Sequence, residues 1–243
     1  MNPLSYFYTE FLWRPLFNAL IWLYVVLPWQ DFGLAIIALT FVMRIILFPL
    51  LWKGQKSQKD FARIQPHIKK IQETHKHDKE AQTKALMEFY ATEKVNPFLG
   101  CLAMLVQIPI LIALFQVFRN GFDPKFLTYL YAFVSNPGSL NPVSFGLLDL
   151  AHGNIYLGMI AAATQYIQTK LTAPPPQKST AGAGDFSRMM SWQTQYIFPG
   201  LVLAWSYSLP SALTLYWTVM NIFAILQEFI MRAFAKRKAE EGK

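Results

Sequence analysis

The stretch Phe41–Leu50, FVMRIILFPL, sets a charged residue, Arg44, inside an otherwise unbroken apolar run. A guanidinium near the centre of a membrane helix costs about 2.5–3.5 kcal/mol on insertion scales, so something must offset it. The run lies in an apolar block from Phe32 to Trp52. A transmembrane helix needs about 20 mainly apolar residues, and this block meets that length. At ~1.5 Å per residue, Arg44 lies ~18 Å from the start of the block, in the inner half of the hydrocarbon core.

Outward from that block, four more apolar blocks follow: Pro97–Phe118, Ile155–Leu171, Trp192–Leu209 and Ala212–Phe234. The third and fourth of the five are short for a span. SLPS, with Pro210, reads as a tight turn that folds the last two into an antiparallel hairpin. Phe7–Leu27 is apolar but rich in Trp, Tyr and Phe, and contains Arg14, Pro15 and Asn18. Such segments lie in the membrane interface. Pro15 marks a helix start and Pro28 a stop. The expected class is therefore all-α: a polytopic membrane protein of five transmembrane helices, with an N-terminal interfacial helix and a cytoplasmic helical hairpin. Its parts are residues 1–30 (interfacial), 31–52 (first span), 53–96 (hairpin), 97–234 (remaining spans, with connections at 120–154 and 173–191) and 235–243 (basic tail).

Composition supports this class. Of 243 residues, 53% are hydrophobic and 16% aromatic, and only 15% are charged, against roughly 25% charged in soluble domains. The net charge of +8 comes from basic residues that flank the apolar blocks, so it reads as membrane-surface charge and not as sequence-specific nucleic-acid binding. Ten lysines and arginines fall between Lys53 and Lys94, and more follow Glu228, whereas the opposite segments carry Arg14, Arg119 and Lys125. The positive-inside rule puts the N-terminus outside and the C-terminus in the cytoplasm. The N-terminus lacks the pattern of a cleaved signal or transit peptide, and the expected location is a prokaryotic cytoplasmic (inner) membrane. A single cysteine, Cys101, forms no disulfide within the chain.

Between Lys53 and Lys94, Phe61, Ile64, Ile68 and Ile71 recur at helical spacing, as do Ala81, Ala85, Leu86, Phe89 and Tyr90. The polar THKHDKE between them is a turn, so the segment reads as a helical hairpin with an apolar seam and basic outer faces. Those faces also suit anionic lipid. The 120–154 connection reads as irregular, and APPPQKSTAGAGD as a linker.

Enzyme chemistry finds no support. Phosphate-binding glycine loops, HExxH and metal-spaced Cys/His sets are missing, and His67, His75 and His77 do not share a helix face. No cofactor is expected. The apolar blocks hold almost no acid; Glu228 sits near the cytoplasmic end of the last. Arg44 has three readings: a snorkelling side chain, a structural ion pair for which the sequence shows no acid at matching depth, or a group in a water-filled cavity that meets a ligand bringing negative charge. Polar residues in other blocks favour the cavity. Gln165, Gln168, Thr169 and Thr172 share one helix face; Gln107 precedes Pro109; Thr214, Trp217, Thr218 and Asn221 lie in the last block. The competing reading of such residues is inter-helix glue. A small secondary transporter or channel is the alternative function, but it calls for an intramembrane acid and internal repeats.

The ordered set of these features resembles a known family. KVNPFLGCLAMLVQIPILIALFQVFRN looks like the second span of the YidC/Oxa/Alb membrane protein insertases, and FVMRIILFPL like the core span that carries the family's groove arginine. The hairpin, with Pro66, and LTLYWTVMNIFAILQEFIM resemble the family's cytoplasmic hairpin and final span. Ala103 stands where the family often has proline, and without a large extracytoplasmic domain or lipoprotein cysteine the chain resembles a minimal bacterial form. The resemblance implies a groove lined by Arg44, Gln107, Gln165, Gln168, Thr169, Trp217 and Asn221. Through it, hydrophilic tails of client proteins move partway across the membrane before their apolar segments slide into lipid. It implies nascent membrane proteins as clients, with the ribosome, signal recognition machinery, Sec translocon and membrane lipids as further partners.

Overall fold

Proline at position 15 does not start a helix. In the computed structural model, which describes residues 3–172 and 192–241, the chain is already helical over Pro3–Tyr8 (α1) and passes through a π-helical turn, Thr9–Trp13, into Arg14–Val26 (α2). Proline lacks an N–H and crowds the carbonyl four residues back. The π turn widens the backbone just before it, closed by the Arg14 N–H donating to the Thr9 carbonyl. The helix does stop at Pro28, in a 3₁₀ turn, Pro28–Gln30. The expected 173–191 linker lies outside the described residues.

The remaining elements are Phe32–Thr74 (α3), Lys79–Thr92 (α4), Pro97–Asn120 (α5), a 3₁₀ segment Pro124–Tyr129, the strands Val143–Ser144 (β1) and Leu148–Asp149 (β2), Ile155–Thr172 (α6), a π-helical turn Gln193–Ile197, Phe198–Trp205 (α7) and Ser211–Glu241 (α8). β1 and β2 pair antiparallel, Val143 opposite Asp149. Among the described residues, two helices are long and apolar enough to cross a membrane, α3 and the Ser211–Phe234 part of α8. α3 runs unbroken past Trp52 and contains Pro49 and Pro66, so the sequence boundary at 52/53 is not a helix break.

The described residues divide into two compact units, residues 3–43 with 111–172 and 192–241, and residues 44–110. In the first, Phe17, Leu20, Ile21, Phe32, Leu114 and Phe118 are fully buried. The outward faces of α6 and α8 are apolar: Ile160, Ile167, Ile222, Leu226 and Phe229 are all exposed. Such surface in a folded chain marks contact with lipid or a partner.

The connection between α5 and α6 is more ordered than its composition suggests. Asn18 is its clamp: the amide Nδ2 donates to the carbonyls of Arg14 (2.8 Å) and Tyr129 (3.2 Å), and Oδ1 accepts from the Tyr131 N–H at 2.6 Å. Trp13 stacks on Phe17 and meets Tyr129 edge-on. Further on, the Ser211 N–H donates to the His152 carbonyl and the Asn154 N–H to that of Ser206, which stitches the start of α6 to the α7–α8 turn. Asn154 caps α6 by accepting from Tyr156 and Leu157.

The second unit is built on the α3–α4 pair. Ile64, Ile68 and Val95 are buried, with Phe61, Leu86, Phe89 and Tyr90 packed against them. Asp78 caps α4 by accepting from the N–H groups of Glu80 (3.0 Å) and Ala81 (2.9 Å). His67 stacks on Phe89 rather than on another histidine. Burial raises the Tyr90 hydroxyl above its ordinary pKa.

Candidate client-binding residues of the membrane helices

α6 carries its polar residues on one face because 165, 168, 169 and 172 recur at helical spacing. The structure brings them together with two residues of α8. The Trp217 indole N–H donates to Gln165 Oε1 at 3.1 Å. Gln165 Nε2 donates to Gln168 Oε1 and Thr169 Oγ1, both at 3.2 Å. Gln168 Nε2 reaches Thr172 Oγ1 at 3.4 Å, and the Thr172 hydroxyl donates to the Gln168 carbonyl at 3.0 Å. Asn221 Nδ2 donates to Thr164 Oγ1 (3.3 Å) and the Ala161 carbonyl (3.4 Å). Beneath this ladder, Ala161, Val202 and Trp217 form a small apolar core with Phe198 and Met220.

Gln165, Thr169, Trp217 and Asn221 are buried and Gln168 is half-buried. Gln165 has its amide oxygen and both amide N–H groups paired within the ladder, so part of it is the glue that membrane helices use. Gln168 and Thr172, at its more open end, keep capacity for water.

Arg44 and Gln107 belong to the other unit. Both are half-buried. On the same face of the helix as Arg44, Phe41 and Phe48 are exposed, so Arg44 is a polar residue on an otherwise apolar helix face. Arg44 and Gln107 each make an interaction within the protein.

One arrangement was visible in the sequence only as a spacing. Glu228 is 2% exposed and accepts from Arg232 Nε at 2.8 Å. Arg232 also donates to the Leu171 carbonyl at 2.6 Å, closing the end of α6 onto α8. The four-residue spacing signals the ion pair; the cap on Leu171 carries no sequence signal. Asp31 was missed as well. It accepts from the Leu34 N–H at 2.8 Å and the Phe145 N–H at 2.6 Å, and from the Ser144 hydroxyl. Burial alone would raise its carboxyl; these hydrogen bonds outweigh burial and hold it below the ordinary carboxylate value. An Asp just before an apolar helix is a cap signal, but two of its partners, Ser144 and Phe145, lie more than a hundred residues away.

Apolar outward faces and an internal polar ladder define a helical membrane protein with a hydrophilic feature between α6 and α8. Comparison with known proteins places it more narrowly. The family model described as 60Kd inner membrane protein matches residues 22–239. A relative named membrane protein insertase YidC from Fusobacterium nucleatum is 35% identical over 203 residues, covering 83% of this chain and 87% of that protein. A longer one of the same name from Syntrophobacter fumaroxidans is 32% identical over 230 residues, 94% of this chain but 39% of that one. A crystal structure described as an active YidC insertase with its first transmembrane domain resolved superposes with a TM-score of 0.55 at 26% identity, covering 90% of this chain and 46% of that chain. The chain thus spans most of one relative and less than half the length of the other two. It belongs to the YidC membrane protein insertase family of inner membrane proteins.

Proposed function

We propose that this protein inserts client proteins into the membrane by drawing their hydrophilic tails partway across through a hydrated groove and releasing their apolar segments sideways into lipid. Five spans, with the N-terminus outside and the C-terminus in the cytoplasm, are part of this reading. Arg44 carries it: a fixed positive charge on an apolar helix surface attracts an acidic or polar tail and exchanges its present contact for the client's carboxylate. Water held by Gln168, Thr172 and their neighbours lowers the cost of bringing that tail into the membrane. Burial of the client's apolar segment in lipid, at about 25 cal/mol per Å², supplies the drive. No covalent step or nucleotide is required.

Clients arrive as nascent chains, and the basic α3–α4 pair is the surface that meets them or the ribosome, the signal recognition machinery or a Sec translocon. The transporter reading is weaker because the one acid near the last span, Glu228, is tied to Arg232 at 2.8 Å.

The test is reconstitution in vesicles with a single-span client whose translocated tail is acidic. Arg44→Ala is expected to slow insertion roughly ten- to hundredfold, the worth of a charged hydrogen bond of about 1.5–3 kcal/mol, while Arg44→Lys retains most activity. Normal insertion by a folded Arg44→Ala protein refutes the mechanism.

A further inference from the structure

At the end of the first unit where α3 begins, three large apolar side chains stand out from one hydrogen-bonded knot. Trp29 is 88% exposed, Leu147 93% and Phe145 52%. The knot is Asp31: its carboxylate accepts from Ser144, Phe145 and Leu34, and Ser144 Oγ accepts from the Gly33 N–H at 2.9 Å. The tip of the β1–β2 hairpin is thereby fixed to the first turn of α3.

The backbone holds this presentation at a cost. Trp29 (φ 66°) and Phe145 (φ 53°) both lie in the left-handed region, which bulky residues rarely adopt. Within residues 27–34 and 142–148 the only charged group is Asp31, and it is turned inward onto hydrogen bonds. An uncharged prong of Trp, Phe and Leu beside the first residue of a span matches the headgroup level of a bilayer, where aromatic side chains concentrate.

We propose that Trp29, Phe145 and Leu147 form a lipid anchor that seats at the boundary of headgroups and acyl chains in the leaflet where α3 begins, and so sets the depth of α3. The occupant is lipid because the prong is continuous with a helix long and apolar enough to cross the membrane. The proposal rests on α3 as a span, not on insertase activity.

Nitroxide labels report depth in reconstituted vesicles through their relative collision rates with oxygen and a water-soluble nickel chelate. In a Cys101→Ser background, labels at Trp29→Cys and Leu147→Cys are expected to favour oxygen several-fold over a label at Ser139→Cys, an exposed loop position. Phe41→Cys, exposed on α3, reports on the span itself. If positions 29 or 147 match position 139 while 41 reads acyl chain, the anchor is refuted and the span stands. If 41 also reads water, the span reading fails and takes the anchor with it.

Discussion

Gln165 has its amide oxygen bonded to the Trp217 indole and its amide nitrogen to Gln168 and Thr169, so its presence in an apolar helix is offset by partners on two helices. Gln165→Leu leaves the buried Trp217 N–H without that acceptor. Inter-helix hydrogen bonds in membranes average about 0.6 kcal/mol and reach about 1.7; Gln165→Leu should lower stability in detergent by that order, and adding Trp217→Phe should cost little more. Fully additive losses would show that the bond contributes nothing. Asp31 supplies a second residue-scale expectation. Its folded pKa is depressed, so its contribution is present above the unfolded value of about 3.9 and disappears as pH falls through the lower folded value. Protection of the Phe145 and Leu34 amides, relative to their intrinsic exchange at each pH, should therefore fall only in that acid window, whereas Asp31→Asn should lower it at neutral pH; protection that does not change with pH in the unsubstituted protein contradicts this.

Between elements, close approach is purchased with glycine. A Cβ at Gly158 would overlap the Ser206 side chain, and one at Gly153 would overlap the Tyr207 carbonyl. α6 is thus pressed against the α7–α8 turn on which the polar ladder depends. Gly158→Leu is expected to part them, costing about 1–3 kcal/mol as overpacking does and raising labelling of a cysteine at 168 or 172; unchanged stability would mean that the turn yields freely. The α3–α4 pair is a separate packing problem. Its seam was legible because Phe61, Ile64 and Ile68 recur at helical spacing opposite Leu86, Phe89 and Tyr90. Val95 was not, since it follows the helix and is folded back by its N–H bond to the Tyr90 carbonyl at 3.1 Å. Ile68→Ala, at 4% exposure, should speed exchange across α4 by the equivalent of about 2 kcal/mol or more and leave α6 and α8 protected. Loss of protection in α6 as well would show that the pair is not a local unit.

For the molecule as a whole, the helices of the apolar blocks could be read from the length of those blocks, and the polar face of α6 from the recurrence of 165, 168, 169 and 172 at helical spacing. The ordered set of FVMRIILFPL, the hairpin with Pro66, KVNPFLGCLAMLVQIPILIALFQVFRN and LTLYWTVMNIFAILQEFIM led to the family. What could not be read was long-range: Asp31 with Ser144, Asn18 with Tyr129, Arg232 with Leu171. These are single hydrogen bonds between distant segments, and no pattern in either segment encodes its partner. Pro15 misled for a related reason, since a π turn accommodates it and the sequence shows only the proline. The site set divides likewise. Gln165, Gln168, Thr169, Trp217 and Asn221 come together on α6 and α8, while Arg44 and Gln107 lie in the other unit.

The claim that Arg44 acts by its charge is tested most directly by reversing that charge together with the client's. Arg44→Glu vesicles, given clients identical except for an acidic or a basic translocated tail, should lose insertion of the acidic-tailed client and gain insertion of the basic-tailed one relative to the unsubstituted protein. An equal fall for both tails, with the protein still folded, would contradict charge recognition at Arg44.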